Sequence, residues 1–543
     1  MKIALAQLNY HIGDFENNTA QIISAIGKAK AVGADLVVFA ELCVCGYPPR
    51  DFLEFKSFIE ECENSISEIA ASCKGIAAIV GAPSPNADLQ GKNLFNSAYF
   101  LNEGKVEKIV SKALLPNYDV FDEYRYFESC RKFEVLEFKG ERIALTVCED
   151  IWDIEHDPMY VVNPMEELAK QKPTLMVNIA ASPFEYNHAE QRRNVMRFNA
   201  IKYQLPLFYV NHVGAQTEII FDGGSMVADK NGNIVEELDY FKNDFRIFDT
   251  GNLKAEKKLR KTDSKIERIH DALVLGIRDY FGKMGFSKAI LGLSGGIDSA
   301  VVLALAANAL GKENVSVLLL PSQFSSGHSV SDSEEMCKRL GTQYHTIGIK
   351  EIFSVIDNKL KPIFAGLPFN VAEENIQARI RGVLLMAMSN KFGSILLNTT
   401  NKSEAAVGYG TLYGDMNGGI SVLGDVYKTQ VYELAHHINT LENVIPENII
   451  IKAPSAELRE NQKDSDSLPD YHILDEILFD YIENRLGPKE LIAKGYDEKL
   501  VMRILKLVNT SEYKRHQFPP VLRVSPKAFG VGRRMPIVGK YLS

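Results

Sequence analysis

Residues 288–311 read KAILGLSGGIDSAVVLALAANALG, and this stretch limits the possible folds more tightly than any other in the chain. A short apolar run is followed by three glycines within five residues, and those by a run of helix formers. Gly292, Gly295 and Gly296 allow a tight turn whose N–H groups face outward, and the following helix points its N-terminus at the same spot. A strand, a glycine turn and a helix in that order belong to α/β layers and form a nest for phosphate or pyrophosphate. The loop is not of the GxxxxGK[ST] kind, since it has no lysine. A plain strand-to-helix turn capped by Ser299 is the bland alternative, and the full SGGxDS string makes it the lesser one. Asp298 is available to hold Mg²⁺.

At 543 residues the chain is too long for one core, because single cores rarely grow beyond roughly 250–300 residues. The N-terminal half alternates apolar runs expected as strands (3–8, 35–41, 76–81, 95–101, 142–148, 174–179, 206–211) with amphipathic stretches such as the helix expected over 18–32. Around 250–265 the text becomes TGNLKAEKKLRKTDSK, lysine-rich and without apolar periodicity. The expected organisation is a domain over 1–250, a linker over 251–265 and a second domain over 266–543, opening with a helix at 266–284. Hydrophobic residues at 46% and charged residues at 24% exclude a disordered or collagen-like chain. The balance of 61 basic to 70 acidic residues gives −9, which argues for small-molecule partners and against a nucleic-acid partner. Seven cysteines without repeated spacing point to a reducing compartment. MKIALAQLNY is broken by Gln7 and Asn9, and no run reaches the roughly 20 apolar residues of a membrane span. A cytoplasmic protein with no membrane partner is the expectation.

Three strings in the first half carry chemistry: VVFAELCVCGYPPRD (37–51), SKALLPNYDVFDEYRYF (111–127) and LTVCEDIWD (145–153). In each a strand ends on a polar residue, Glu41 after VVFA, Lys112 near the end of KIVSK and Cys148 after IALTV, so the three can converge at one sheet edge. Singly, Glu41 and Lys112 could be a structural ion pair and Cys148 a buried small hydrophobe. Cys43 and Cys45 form CxC with no second His/Cys pair nearby, and packing is the expected role. Jointly, Glu41, Lys112 and Cys148 resemble the catalytic set of the nitrilase superfamily. In chemical terms Cys148 is the nucleophile, Glu41 the general base, and Lys112 the cation that stabilises an oxyanion together with an N–H just after Cys148. Glu123 is a supporting acid. The same resemblance points to Tyr118, Ser182 and His188 for glutamine binding.

In the second half, PFNVAEENIQARIRG (368–382) predicts a helix bearing Asn375, Arg379 and Arg381. ILLNTTNKSEAAVGYGTLYGDMNGG (395–419) runs from a strand into a loop rich in polar groups, where Glu404 could complete a metal site begun by Asp298. Lys428, in VYKTQV, could neutralise a phosphate. RENQKDSDSLPD (459–470) predicts an acidic-polar loop, mobile until ligand binds. A basic C-terminal region holds Lys514, Arg515, Arg523, Lys527, Arg533, Arg534 and Lys540, either a solvated tail or a place for a dinucleotide's pyrophosphate. These motifs, with PSAELR (454–459) and SEYKRHQFPPVLRVSPKAFGVGRRMPIVGKY (511–541), resemble the NAD synthetases, and the two halves together resemble the glutamine-dependent ones.

The resemblance implies an α/β fold made of an N-terminal nitrilase-like α-β-β-α sandwich and a C-terminal Rossmann-like doubly wound parallel sheet of the ATP-pyrophosphatase type. It implies a ligase that adenylates deamido-NAD with ATP and Mg²⁺, releases pyrophosphate and AMP, and takes its ammonia from glutamine through a shielded internal route. The residues it assigns to ATP are Gly292, Leu293, Ser294, Gly295, Gly296, Ile297, Asp298, Ser299, Thr399, Lys428 and Ser455. It assigns Asn375, Glu404 and Lys514 to deamido-NAD and Asp298 with Glu404 to Mg²⁺. It also implies a homo-oligomer, a dimer of synthetase domains or an octamer. Two alternatives are another ATP-pyrophosphatase amidotransferase, such as one that aminates a purine nucleotide, and a nucleotide sensor with an inactive amidase domain.

Overall fold

The structure is a computed structural model that describes every residue except 89, 155–158, 255–263, 461 and 543. Most of the expected linker therefore lies outside the described residues. The chain divides into two compact units, Met1–Thr262 and Asp263–Ser543.

The first unit holds two six-stranded sheets built on one plan. In one, the order is Asp244–Asp249, Lys2–Gln7, Leu36–Val38, Ala77–Pro85, Leu94–Asn102, Lys105–Ser111. In the other it is Ile234–Glu237, Met226–Ala228, Leu207–Asn211, Leu175–Ala180, Glu141–Val147, Leu136–Phe138. Each has three parallel strands at its centre and antiparallel strands at its flanks. Parallel strands are buried on both faces and so read as continuous apolar runs; Leu175–Ala180 and Leu207–Asn211 are buried along their whole length. One core joins both sheets to helices Phe15–Ala31 and Lys56–Ser72 on one side and Pro164–Ala169 and His188–Tyr203 on the other. This is an α-β-β-α sandwich.

The first helix begins at Phe15, three residues before the expected start, because Asp14 caps it by accepting from the Asn17 N–H at 3.3 Å. Ile22, Ala25, Ile26 and Ala29 form its buried stripe. The strand expected over 35–41 pairs only over Leu36–Val38. The chain then leaves the ladder in a turn that passes over Ala77–Pro85, where a Cβ on Gly81 would lie 2.4 Å from the Leu42 nitrogen. Only glycine permits that crossing, and the turn it admits carries Glu41.

In the second unit five parallel strands are ordered Gln343–Thr346, Val315–Leu319, Ala289–Gly292, Ile395–Asn398, Ile420–Ser421. The order reverses between Ala289–Gly292 and Ile395–Asn398, so the loops leaving those two strands diverge and open a crevice at the strands' C-terminal ends. Helix Lys265–Met284 starts on a capping box of Ser264 and Glu267. Helix Ile297–Leu310, buried over most of its length, follows the glycine loop. A separate helical cluster includes Lys402–Val407, Tyr471–Ile482 and Glu498–Thr510. No helix among the described residues is long and apolar enough to cross a membrane.

Two candidate active sites

Glu41, Lys112 and Cys148, the first and last more than a hundred residues apart in sequence, gather in the first unit, all three buried. Lys112 follows strand Lys105–Ser111 directly, and Cys148 follows Glu141–Val147. Lys112 Nζ donates to Glu41 Oε1 at 2.7 Å and to both Glu123 oxygens at 2.8 Å. The second oxygen of Glu41 accepts from the Ala181 N–H at 2.8 Å, and Asn96 Nδ2 donates to Glu41 Oε1 at 2.7 Å. Tyr47 donates to Glu123 at 2.8 Å, and His212 Nε2 bonds the Glu41 carbonyl. The Glu41 carboxylate is thus held from three directions and its backbone from a fourth.

Cys148 has φ +44, a left-handed conformation that a residue with a Cβ adopts only when its surroundings hold it there. The holding groups are visible. Asp150 accepts from the N–H groups of Val147 (3.0 Å), Ala113 (3.0 Å) and Leu114 (2.9 Å), and Asn178 donates to the Cys148 carbonyl at 3.3 Å. Burial pushes the Cys148 thiol well up, and Glu41 adds to the effect while Lys112 opposes it. The resting sulfur is therefore protonated and needs a base. Burial works against the charge on Lys112, but Glu123 and Glu41 outweigh it and hold the ammonium charged.

The three residues expected around glutamine fall in two groups. Tyr118 donates to Glu149 (2.9 and 3.1 Å), which also accepts from Tyr160 at 3.0 Å. Ser182 Oγ lies 2.9 Å from His188 Nε2, and the His188 ring stacks on Trp152 with centroids 4.9 Å apart. Arg192 on the same helix as His188 grips Asp222 through two bonds of 2.7 and 2.6 Å, both residues fully buried. Sequence reasoning missed Asn96, Tyr47, His212, Asp150 and Glu149. Cys43 and Cys45 are buried in the core, burial pushing Cys43 up to about 12. Among the described residues no cluster of three or more His, Cys, Asp or Glu is arranged to hold a metal by itself.

Burial pushes the Glu123 carboxyl from its ordinary 4.5 up to about 7, with Lys112 opposing and Glu41 reinforcing. Its folded value thus lies above its unfolded one, so its share of stability is complete below about 4.5 and is lost as pH rises through about 7. A Glu123→Gln chain escapes that loss. Between those pH values its unfolding free energy is expected to gain on the parent's by on the order of 3 kcal/mol, with no further change above. The single tryptophan, Trp152, lies in this unit, so urea unfolding followed by its fluorescence reads the effect. Parallel pH curves for the two chains would contradict it.

The second site lies at the sheet's switch point. Gly292 through Ser299, Thr399, Glu404, Lys428 and Ser455 all line one cavity there. Asp298 Oδ1 accepts from Asn401 Nδ2 at 2.9 Å, its other oxygen pairs with Lys428 Nζ, and Lys428 lies 3.8 Å from Glu404. Burial and the charge of Asp298 raise the Glu404 carboxyl well above the usual range despite Lys428. Arg381 faces the cavity as well, bonding the Leu320 carbonyl at 3.0 Å.

Asn375 and Lys514 are not among the cavity's lining residues. Asn375 accepts from Thr411 at 2.7 Å, and Lys514 donates to the carbonyls of Gly408 and Gly410 at 2.7 and 2.8 Å. Arg515 is buried and bonds the carbonyls of Ala405, Ala406 and Val508, so it ties the fold together and is no solvated tail. In the acidic stretch 459–470, Asp464 is buried and accepts from Tyr409 (3.1 Å) and Tyr471 (3.0 Å).

Family models agree with this division: residues 2–249 match the carbon-nitrogen hydrolases and residues 269–518 match NAD synthase. A glutamine-dependent NAD(+) synthetase of Synechocystis is 46% identical over 546 residues, covering 98% of both chains. Its counterpart in Thermotoga maritima is 38% identical, covering 100% of this chain and 99% of its own. Among solved structures, the glutamine-dependent NAD+ synthetase of Acinetobacter baumannii in complex with ADP superposes with a TM-score of 0.79 at 39% identity, over 99% of this chain and 98% of its own. A Cytophaga hutchinsonii structure at 21% identity and a TM-score of 0.84, covering 99% of this chain and 98% of its own, shares the fold. With identity of this level sustained over essentially its whole length, the chain belongs to the glutamine-dependent NAD(+) synthetases.

Proposed function

We propose that the first unit hydrolyses glutamine and that the second uses the ammonia to amidate the adenylated nicotinate carboxylate of deamido-NAD. The observation that carries this is that a cysteine, held in a strained turn beside a carboxylate and a charged lysine, and a glycine-lined cavity at a parallel sheet's switch point occur in one chain.

In the first unit Glu41 takes the Cys148 proton as sulfur attacks the glutamine carboxamide carbon. The C=O electron pair moves to oxygen, where Lys112 stabilises the negative charge. As the tetrahedral adduct collapses, Glu41 returns the proton to the departing nitrogen, leaving a thioester and ammonia. Water, deprotonated by Glu41, then releases glutamate. Glu149, kept in place by Tyr118 and Tyr160, suits the substrate's α-ammonium, and Ser182 with His188 suits its α-carboxylate.

In the second unit a carboxylate must first be converted into a good electrophile. Its oxygen attacks the α-phosphorus of ATP, pyrophosphate leaves, and ammonia later displaces AMP. The loop 292–299 with Thr399, Lys428 and Ser455 holds the phosphates. Asp298 and Glu404 fit Mg²⁺: both offer oxygen ligands, and the single Lys428 ammonium stands between two carboxyl groups. Bound there, the ion would neutralise charge gathering on the leaving pyrophosphate. Asn375, Glu404 and Lys514 are assigned to deamido-NAD.

Seven free thiols suit a reducing, cytoplasmic setting. Exposed apolar residues on helices Lys350–Phe364 and Val371–Phe392 and between them, among them Val355, Ile363, Leu367, Phe369 and Val383, suit cover by a second copy; sedimentation velocity showing monomer alone would remove that part. The function is tested by incubating the chain with ATP, Mg²⁺, glutamine and either deamido-NAD or xanthosine monophosphate. NAD and AMP should form with deamido-NAD only. Release of ADP, or equal turnover of the purine nucleotide, would overturn the reading.

A further inference from the structure

Glu457 lies in the PSAELR segment two residues beyond Ser455, and its backbone has φ +48. A non-glycine residue held there needs an anchor, and its carboxylate supplies one. Oε1 accepts from Ser326 Oγ at 3.0 Å, from Ser329 Oγ at 2.8 Å and from Lys452 Nζ at 3.0 Å, while Oε2 accepts from the Ser326 N–H at 3.4 Å. Lys452 also donates to Ser329 Oγ. Both serines belong to the start of helix Gly327–Leu340, which Ser326 caps, so the carboxylate sits where a helix end favours negative charge. Burial alone would raise this carboxyl, but the bonds from Lys452 and Ser329 outweigh it and keep Glu457 ionised at neutral pH.

Ser329 is also the residue on which the glycine loop rests: a Cβ on Gly295 would lie 2.5 Å from the Ser329 carbonyl oxygen. One serine therefore touches the pyrophosphate loop with its backbone and Glu457 with its side chain. Ser329, Lys452, Ser455 and Glu457 all line the cavity. On the other side of the anchor, Gln377 Nε2 donates to the Leu458 carbonyl at 2.8 Å, and Ser455 Oγ donates to the Gln462 carbonyl at 2.6 Å. The segment is thus fastened to neighbouring elements through Glu457 and Leu458, while Ser455 is tied to Gln462 within the same loop.

We propose that Glu457 is a positioning residue for ATP: by binding Ser326, Ser329 and Lys452 it seats the segment that carries Ser455 against the glycine loop and fixes Lys452 at the cavity rim. This rests on the reading of that cavity as the ATP site. The role is separate from phosphate contact, since a carboxylate repels phosphate and can serve it only by placing other groups.

The test uses the full chain with ammonium chloride as nitrogen source, so that the first unit plays no part. Glu457→Gln keeps the size of the side chain but removes the charge paired with Lys452. KM for ATP is expected to rise about tenfold or more, the loss typical of a charged hydrogen-bond partner, with kcat at saturating ATP within about twofold. Glu457→Asp, which restores the charge, should recover most of the affinity. Dissociation constants for ADP, measured directly by calorimetry, should follow KM and are interpretable for any variant whose melting temperature matches the parent's. Lys428→Ala serves as the control on the site itself. If it leaves ATP and ADP binding unchanged, the reading of the cavity fails. If it weakens both while Glu457→Gln changes neither KM nor ADP affinity by more than about twofold, the Glu457 inference alone is overturned. A fall in kcat with KM unchanged would overturn it too.

Discussion

Replacing Cys148 by alanine is expected to lower glutamine-driven NAD synthesis on the order of ten-thousand-fold while leaving synthesis from added ammonium salt near the parent rate. In the proposed mechanism the first unit acts through that sulfur, because Lys112 is an ammonium without a free electron pair and Glu41 is engaged with it. The loss of one buried sulfur atom leaves a small void, costing a little stability and no topology. The strained turn at 148 remains tied down by Asp150 and Asn178, whose bonds go to backbone groups that alanine also has. Ammonium supplied from solution replaces the product of the missing step, because a fraction is always present as neutral, nucleophilic ammonia. Loss of both activities in a chain with unchanged circular dichroism would contradict the division of labour between the two units.

The complementary result is expected from Gly295→Ala. At φ +79 the new Cβ would meet the Ser329 carbonyl oxygen at 2.5 Å and its Cα at 2.7 Å, and neither is the flexible end of a side chain. Either the glycine loop or the start of helix Gly327–Leu340 must move, and a displacement near 1 Å at a phosphate site costs about a hundredfold in rate. Synthesis from glutamine and from ammonium should fall together by at least about that factor, while glutamate release by the first unit persists. Gly296, one residue on, has φ −90, and a Cβ there would meet only the Ser294 hydroxyl, at 3.3 Å. Gly296→Ala should therefore be far milder, and similar losses in the two variants would refute the steric argument.

Sequence patterns reveal those parts of the molecule whose causes are local. The glycine loop, its flanking strand and helix, and the placement of Lys112 and Cys148 directly after strands follow from periodicity and turn chemistry within a few residues. What surrounds them does not. Asn96 reaches Glu41 across 55 positions and Ala181 reaches it across 140, and no spacing rule connects such partners. The strand expected over 35–41 shortens for a related reason: Val38 and Phe39 are equally apolar, and the room that lets the chain turn away after them is left by Gly81, some forty residues on. In 459–470 composition does not reveal that Asp464 is buried, accepting from Tyr471 seven residues on and from Tyr409 across 55 positions. Nor does it reveal Arg515, whose guanidinium pairs with Glu512 and bonds backbone carbonyls.

The way Glu41 is held also bears on when activity can first exist. Its partners come from residues 96, 112 and 181, and its carbonyl is bound by 212. A ribosome releases these in order, so a growing chain exposes Cys148 well before strand Leu175–Ala180, Ala181 and residue 212 are available to hold Glu41. Non-local pairings of this kind form late. On the proposed mechanism, hydrolysis would then await closure of the first unit, and a chain still short of residue 212 would lack a fully held Glu41.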